Sequence, residues 1–170
     1  LWLAGGDLQW AALPNVLLSV GVVALVYRLA RELVPRAGRR PALIAAAAPA
    51  LAQTYGTFAS LYMSETLFSA LFAGTLLACA RWRRTGRLGW ASAAGLLFGM
   101  ACLTRSAALV FLPAALLWMA GVDWARTGRL RVRAALPGVL MTLCAALLIA
   151  PWTLRNCRAY GECILIESGF

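Results

Sequence analysis

Apolar runs alternate with short polar or basic segments along the whole chain. The first run, from about Ala11 to Ala30, holds about twenty residues; as a helix rising ~1.5 Å per residue it crosses a hydrocarbon core ~30 Å thick. Further runs of the same character follow at residues 42–53, 64–80, 88–103, 107–122 and 134–154. The pattern predicts an all-α, polytopic transmembrane helical bundle with about six spans.

The second run is short and leads into a stretch with an unusual charge. Only about twelve residues follow Ala42 before this run ends, with Pro49 late in it, so residues 55–63 would have to continue it as a bent or interfacial piece. The stretch Tyr55–Phe68 then carries Glu65 between apolar segments. Removing a carboxylate from water is costly unless it is paired, metal-bound or protonated. The chain is therefore interpreted as organised around this stretch.

Composition supports the membrane class. Apolar residues make up 62% of the chain and charged residues 13%, and the mean hydropathy is +0.78. A soluble domain is nearer half apolar and a quarter charged. These values exclude an ordinary soluble domain and indicate an integral membrane protein.

The positive charge is arranged by position along the chain. The net charge is +10, and every basic residue is an arginine. Most arginines fall in three clusters, within 28–40, 81–87 and 126–133, that follow alternate apolar runs, as the positive-inside rule predicts for cytoplasmic loops. No nucleic-acid partner is needed to explain them. Counting through the runs places seven charged residues on the non-cytoplasmic side: Asp7, Glu65, Arg105, Arg155, Arg158, Glu162 and Glu167.

Two further patterns concern the ends and the packing of the helices. All seven tryptophans lie near the ends of runs, where an amphipathic ring prefers the membrane interface. The run 88–103 contains Gly95 and Gly99, a small-xxx-small spacing that lets helix backbones approach closely. We expect these glycines to serve helix packing.

The chain gives no sign of a leader. Leu1 is not a methionine, and no basic segment precedes an apolar stretch at the start. We expect the sequence to be part of one transmembrane domain over residues 1–170, truncated at both ends.

Cysteine and histidine usage limits the chemistry. Cys79, Cys102 and Cys144 lie within apolar runs and behave as small apolar residues, whereas Cys157 and Cys163 lie outside, where either a disulfide or two thiols fits the spacing. A cysteine metal site is not expected. Histidine is absent from the sequence, which excludes a histidine base or a histidine-ligated zinc within this chain.

Three positions on the outer side are candidate functional residues, and each has a simpler explanation. Glu65 is either a charge at the positive end of a helix that starts at Ser64 or a functional carboxylate. Arg105, in a tight turn between apolar runs, either reaches the lipid headgroups or clamps a phosphate with its planar fork of donors. Arg155 with Asn156 is either a polar helix end or a ligand pair. Together, a carboxylate and two arginines suit transfer from a lipid-linked phosphate.

These residues lie in segments that resemble a known family. The segments Ser64–Phe68, Leu103–Arg105 and Ala150–Asn156, followed by Tyr160 and Gly161, are similar in order and spacing to the polytopic GT-C glycosyltransferases. The similarity is greatest to the dolichyl-phosphate-mannose-protein mannosyltransferase and family 39 type, and it covers nearly the whole chain.

The resemblance implies a role for each matching residue. Glu65 corresponds to an acidic position that orients the acceptor or holds a divalent metal. Arg105 and Arg155 correspond to contacts with the carrier phosphate, and Asn156 and Tyr55 to substrate-binding positions. The family's general base lies in an earlier outer loop, which is expected upstream of Leu1.

The implied function is that of a multi-pass bacterial inner-membrane hexosyl- or pentosyltransferase. It would move a sugar from a polyprenyl-phosphate donor to a protein, lipid or glycan acceptor on the outer side, with inversion. A transporter or flippase for a lipid-linked or small solute is the alternative, since such proteins also place charges near broken helix ends. Against transport, the sequence has no evident internal repeat. A purely structural membrane subunit is a third hypothesis.

Overall fold

A computed structural model describes residues 8–52, 64–127, 135–160, 163 and 165–166 of the chain. In these residues the regular structure is helical, and no strand occurs among them. The α-helices are α1 (Leu8–Leu33), α2 (Arg40–Leu51), α3 (Ser64–Thr85), α4 (Leu88–Thr104), α5 (Phe111–Thr127) and α6 (Leu136–Tyr160). Short 3₁₀ turns lie at Pro35–Ala37 and Ser106–Val110. The predicted all-α class is confirmed.

Two of the described helices are long and apolar enough to cross a membrane: Leu13–Leu33 and Leu136–Tyr160. Arg40–Leu51, Leu88–Thr104 and Ser106–Val122 are apolar but shorter. The predicted count of six spans therefore stays a prediction. The expectation that the second run is too short agrees with α2, which has 12 residues; the proposed continuation through residues 55–63 lies outside the described residues.

Large apolar side chains are exposed on several helices. Leu17, Ile44, Leu117 and Leu147 are each more than two-thirds exposed. Such strong exposure of large apolar side chains on several helices is unusual for a water-soluble monomer. It fits helices that face lipid or other helices of a membrane protein.

The chain divides into two compact units, Leu1–Leu77 and Ala78–Phe170. In the first unit α1 packs against α2 across a short turn. The turn ends at Gly38, whose φ of 77° lies in a region that side chains with a Cβ rarely adopt. Buried residues of this helix pair are small or β-branched: Val22, Ala42 and Ala46.

The second unit is built on α4 and α6, which pack side by side over most of their length. A Cβ at Gly95 would collide with the Met141 carbonyl, and one at Gly99 would lie 3.0 Å from Cα of Ala145. The backbones of the two helices therefore lie so close together that an added methyl group has almost no room between them. The predicted packing role of the Gly95–Gly99 spacing is confirmed.

The two helices of this pair run in the same direction. Gly95 lies against Met141 and Gly99 against Ala145, so both helices advance together along the chain. The helix that returns the chain between them, α5, also packs on α6, where a Cβ at Gly138 would lie 2.9 Å from Cδ2 of Leu116. As a result, the C-terminal ends of α4 and α6 lie at the same end of the unit.

The opposite end of this unit holds an aromatic and arginine cluster. The rings of Trp82 and Trp118 meet edge to face with their centroids 6.2 Å apart, and the Arg81 guanidinium lies 4.7 Å from the centroid of the Trp90 ring. Trp82 is only 4% exposed. This tryptophan lies near a helix end, as predicted, but its ring packs within the protein instead of standing at the lipid interface.

Candidate functional site

Glu65 lies in the first turn of α3, which begins at Ser64. A carboxylate is favourable there because the N-terminal end of a helix carries a partial positive charge. Its side chain is half-buried. This position is compatible with both hypotheses for Glu65, the helix-end charge and the functional carboxylate.

Thr66, next to Glu65, has an unusual environment. The residue is fully buried, and its hydroxyl oxygen has no hydrogen-bond partner among the residues that the structure describes. A buried hydroxyl without a partner costs stability. Sequence reasoning gave Thr66 no separate role, and a threonine near a helix start offers no signal that would have suggested one.

Arg105 occupies the break between α4 and the following 3₁₀ turn. Its backbone is extended, its N–H donates to the Ala101 carbonyl at 2.9 Å, and its carbonyl accepts the Ala108 N–H at 3.1 Å. The residue is exposed. The predicted tight turn is confirmed, and because α4 and α6 are parallel, Arg105 lies at the same end of the unit as the last turns of α6.

Arg155 and Asn156 lie within α6, which continues to Tyr160 and does not end near Leu154 as the apolar run suggested. Successive residues on a helix point about 100° apart, which separates the two side chains. Arg155 is exposed, whereas Asn156 is 4% exposed. The two residues therefore do not share one face, and their ligand roles stay predictions.

The last turns of α6 are tied to a short segment that follows it, residues 163 and 165–166, here called the return segment. Cys157 and Cys163 form a disulfide. The Trp152 indole N–H donates to the Ile166 carbonyl at 3.0 Å, and the Thr153 hydroxyl donates to the Leu165 carbonyl at 2.6 Å. These three links hold the return segment against the last turns of α6. Of the two alternatives that the cysteine spacing left open, a disulfide or two thiols, the structure has the disulfide.

Trp152 also contacts a candidate site residue. The guanidinium carbon of Arg155 lies 5.1 Å from the centroid of the Trp152 ring. This distance is within the range of a cation–π interaction. The arginine predicted to bind phosphate is thus held against an indole that is itself bonded to the return segment.

A cleft of about 520 Å³ opens at this end of α6. Its lining residues are Pro151, Leu154, Arg155, Arg158 and Ala159. Arg155 and Arg158 are three residues apart, so their side chains lie on one face of the helix. Two guanidinium groups beside apolar residues form a surface suited to a phosphate joined to an apolar chain.

An apolar groove of about 470 Å³ shares Leu154 with the cleft. Its other α6 residues, such as Ile149 and Thr153, lie on the side of the helix away from Arg155 and Arg158, since successive helical residues point about 100° apart. Its walls come from α4, the 3₁₀ turn, α5, α6 and the return segment, with Phe98, Leu109, Ile149 and Leu165 among the lining residues. It continues, through shared Thr142, into a hollow of about 350 Å³ between α5 and α6. We call the groove and the hollow together the apolar track.

The apolar track follows α6 toward the arginines. From Gly138 to Leu154 it extends over sixteen helical steps, or ~24 Å at ~1.5 Å per residue. The hydroxyls of Thr142 and Thr153 accompany it but bond to backbone carbonyls, so they add little polarity. The track ends near Leu154, at the level of Arg155 and Arg158 along the axis of α6 but mainly on the other side of the helix.

Metal ligands are few among the described residues. No group of three or more histidine, cysteine, aspartate or glutamate side chains occurs in the part of the chain that the structure describes. A divalent metal at Glu65 would need further ligands, and metal binding by this residue stays a prediction. Tyr55, Asp7, Glu162 and Glu167 lie outside the described residues.

Arg158 and Trp152 are the site residues that sequence reasoning did not propose. The signal for Arg158 was its spacing of three from Arg155, which becomes informative only if the helix runs past Leu154. For Trp152 the sequence indicated only an interfacial position, because its hydrogen-bond partner lies on a separate segment.

The helical fold, the exposed apolar side chains and the two arginines beside apolar residues at one end of α6 are compatible with a membrane protein that handles lipid-linked substrates. The model of one protein family, described as dolichyl-phosphate-mannose-protein mannosyltransferase, matches residues 1–154. The chain belongs to this family. It is therefore a membrane-integral glycosyltransferase chain of a family that uses lipid-linked donors, as the resemblance predicted.

The other comparisons returned no match: none of the curated proteins and none of the solved structures is significantly similar to the chain. The family match ends at residue 154. Arg155, Arg158 and the disulfide therefore follow directly after the matched region.

Proposed function

We propose that the protein transfers a hexose or pentose from a polyprenyl-phosphate donor to an acceptor on the non-cytoplasmic side of the membrane, with inversion at the anomeric carbon. The observation that carries the proposal is the cleft in which Arg155 and Arg158 lie beside the apolar residues Pro151, Leu154 and Ala159. The donor has the same two parts, an anionic phosphodiester and a polyisoprenoid tail.

The chemistry of the two parts matches the two surfaces. A guanidinium offers a planar fork of N–H donors that pairs with two phosphate oxygens, and its charge persists at any physiological pH. The apolar side chains that line the cleft beside the arginines, Pro151, Leu154 and Ala159, would contact the isoprene units nearest the phosphate. Arg155 and Arg158 would then bind the phosphate at the membrane surface.

In the reaction, an acceptor hydroxyl or amine attacks the anomeric carbon on the face opposite the phosphate. The bond between that carbon and the phosphate oxygen breaks, and its electron pair stays on the departing polyprenyl phosphate. The arginines stabilise this charge, which grows in the transition state. A carboxylate acting as general base takes the acceptor proton.

The remaining predicted residues take supporting roles in this proposal. Glu65 orients the acceptor or holds a divalent metal, and Tyr55 contacts substrate. Arg105, at the same end of its unit as Arg155, provides a further contact for the phosphate. Asn156 is buried on another face of α6, so its predicted role in substrate binding would have to be exerted from inside the protein.

Two observations support a site on the outer face of a bacterial inner membrane. The Cys157–Cys163 disulfide lies at the end of α6 that carries the cleft, and disulfides persist in oxidising compartments. The arginine clusters follow alternate apolar runs, and one of them directly precedes α6. Both agree with α6 running from the cytoplasmic side outward.

Family membership favours the transferase over a flippase or transporter, although an apolar track would also suit a lipid carrier. A turnover assay distinguishes them, because only a transferase breaks the bond between sugar and phosphate. The assay uses the complete protein in membranes with a radiolabelled polyprenyl-phosphate sugar, and it measures labelled acceptor and released polyprenyl phosphate.

The variants Arg155→Ala and Arg158→Ala, with Arg87→Ala as the matched control, test the phosphate site. Loss of a charge-assisted contact of about 1.5–3 kcal/mol corresponds to a donor KM roughly 10- to 100-fold higher for each cleft variant. Arg87 is an exposed arginine outside the cleft and its loss should leave KM unchanged. Equal KM values for all three variants would contradict the phosphate site.

Glu65→Gln tests the carboxylate separately. The amide keeps the size of the side chain but removes the negative charge with which Glu65 would hold a metal or orient the acceptor. We therefore expect kcat/KM for transfer to fall at least about tenfold. Wild-type transfer by this variant, at equal expression, would reduce Glu65 to a helix-end charge. Failure of the wild type to transfer from any polyprenyl-phosphate sugar would refute the proposed function.

A further inference from the structure

We propose that the Cys157–Cys163 disulfide and Trp152 form a positioning device for the donor site: the disulfide fixes the return segment, the return segment fixes the Trp152 indole, and the indole holds the Arg155 guanidinium over the cleft. This inference rests on the proposed function, since it concerns how the same phosphate-binding arginine is placed. Each of the three links is a contact in the structure.

The first link is covalent. Cys157 lies on α6 and Cys163 follows six positions later. The disulfide closes a short loop and thereby removes most of the conformations that the following residues would otherwise sample. The loop sets the return segment beside the last turns of α6.

The second link depends on the position of that segment. The Ile166 carbonyl accepts the Trp152 indole N–H, and the Leu165 carbonyl accepts the Thr153 hydroxyl. Adjacent residues of the helix thus bond to adjacent residues of the return segment. Ile166 is 8% exposed, and its bond to Trp152 is partly buried, whereas the bond from Thr153 to Leu165 is exposed.

The third link concerns the arginine. Trp152 and Arg155 lie three residues apart on one helical face, with the guanidinium carbon 5.1 Å from the ring centroid. An unrestrained arginine side chain samples many rotamers, and binding must then meet the cost of ordering it. A fixed indole restricts those rotamers before the donor arrives.

The return segment also shapes the neighbouring apolar surface. Leu165 lines the groove together with Leu154, the residue that the groove shares with the cleft. Release of the segment would remove Leu165 from the wall and the restraint from Arg155 at once. Both effects weaken donor binding, and neither touches the acceptor or the proton transfer.

The kinetic test uses the complete enzyme with a radiolabelled polyprenyl-phosphate sugar. In Cys157→Ser/Cys163→Ser we expect the donor KM to rise about 5- to 20-fold, with kcat within about twofold of wild type. Dithiothreitol reduces the Cys157–Cys163 bond to two thiols and is itself oxidised to a cyclic disulfide. This reduction should raise the donor KM of the wild type to the same level. Reoxidation should restore it.

The double serine variant is its own control for the reductant. It keeps Cys79, Cys102 and Cys144, so dithiothreitol should leave its KM unchanged if the effect on the wild type comes from the Cys157–Cys163 bond. Unchanged KM in the wild type on full reduction would overturn the proposal. If kcat and the yield of folded protein fell together, the disulfide would serve stability, and this result would also overturn the proposal.

Trp152→Phe tests the second link. Phenylalanine keeps an aromatic face for Arg155 but cannot donate to Ile166, so we expect an intermediate rise in donor KM. In the double serine variant the same change should raise the donor KM little further, because the return segment is already released. If Trp152 and the disulfide acted independently, the two increases in KM would multiply.

A measurement without turnover separates this inference from the proposed function. In protein labelled with ¹⁵N at indole nitrogen, the signal absent from Trp152→Phe identifies the Trp152 N–H. Its resonance should shift and exchange faster with solvent after reduction. No change would overturn the positioning device even in an active transferase, whereas a clear change in a protein without transfer would sustain the linkage and refute the transferase.

Discussion

The middle of α6 and its last turns belong to one continuous helix but interact with their surroundings in opposite ways. Around Met141 and Ala145 the helix meets α4 with no room for an added methyl group. From Pro151 onward the side chains are largely exposed, and polar groups reach toward the return segment and the cleft. The middle holds the unit together, whereas the end presents groups that can bind a ligand.

This contrast teaches that one helix separates stability from function by position. In the middle, the contacts are between backbones and small side chains, so an added atom has nowhere to go. At the end, the contacts involve long side chains that can be replaced without refilling a core. Substitutions in the two regions should therefore fail in different assays.

The largest effect is expected for Gly95→Ala. The new Cβ would collide with the Met141 carbonyl and lie 2.8 Å from Cβ of Cys144, and a backbone atom cannot move aside cheaply. We expect a loss of about 3 kcal/mol or more, seen as a lower melting temperature and yield in detergent. Gly121→Ala, where nothing lies within 4 Å, is the matched control and should change stability by about 1 kcal/mol at most. Equal melting temperatures for the two variants would remove the contrast.

An intermediate effect is expected for Arg155→Lys. Lysine keeps the charge but loses the planar fork and stacks less well on the Trp152 ring, so donor KM should rise about 5- to 10-fold while the melting temperature stays the same. The measurement is donor kinetics beside a thermal unfolding curve. A fall in melting temperature as large as that of Gly95→Ala would show that the end of α6 is structural as well.

The smallest effect is expected for Gly138→Ala, also on α6. Its Cβ would lie 2.9 Å from Cδ2 of Leu116, the far end of a flexible side chain that can rotate away. We expect a change of about 1 kcal/mol or less in stability and none in donor KM. A large destabilisation would mean that α5 is packed on α6 as rigidly as α4 is.

Sequence reasoning identified the packed region well. The spacing of Gly95 and Gly99 is a local signal, readable within one helix, and it predicted a close contact that α4 makes with α6. The helical class followed equally from the apolar runs. The partner helix was not predicted, because the spacing of the glycines does not indicate which helix packs against them.

The end of α6 was harder to predict. The polar residues after Leu154 suggested that the helix stops, whereas a helix needs no apolar residues once it has left the hydrocarbon core, and α6 continues to Tyr160. The sequence therefore paired Arg155 with Asn156 and overlooked Arg158. The bonds from Trp152 and Thr153 to the return segment depend on a chain reversal, which has no periodic signature.

The parallel packing of α4 and α6 has a consequence for biosynthesis. The ribosome completes α4 and then α5 before α6 exists, so the glycine face of α4 is formed without its partner. Assembly of this unit is therefore a late event that awaits synthesis of α6. A bulky residue at position 95 would allow each helix to be inserted and would then block their association, leaving a chain of correct topology that quality-control proteases recognise as unassembled.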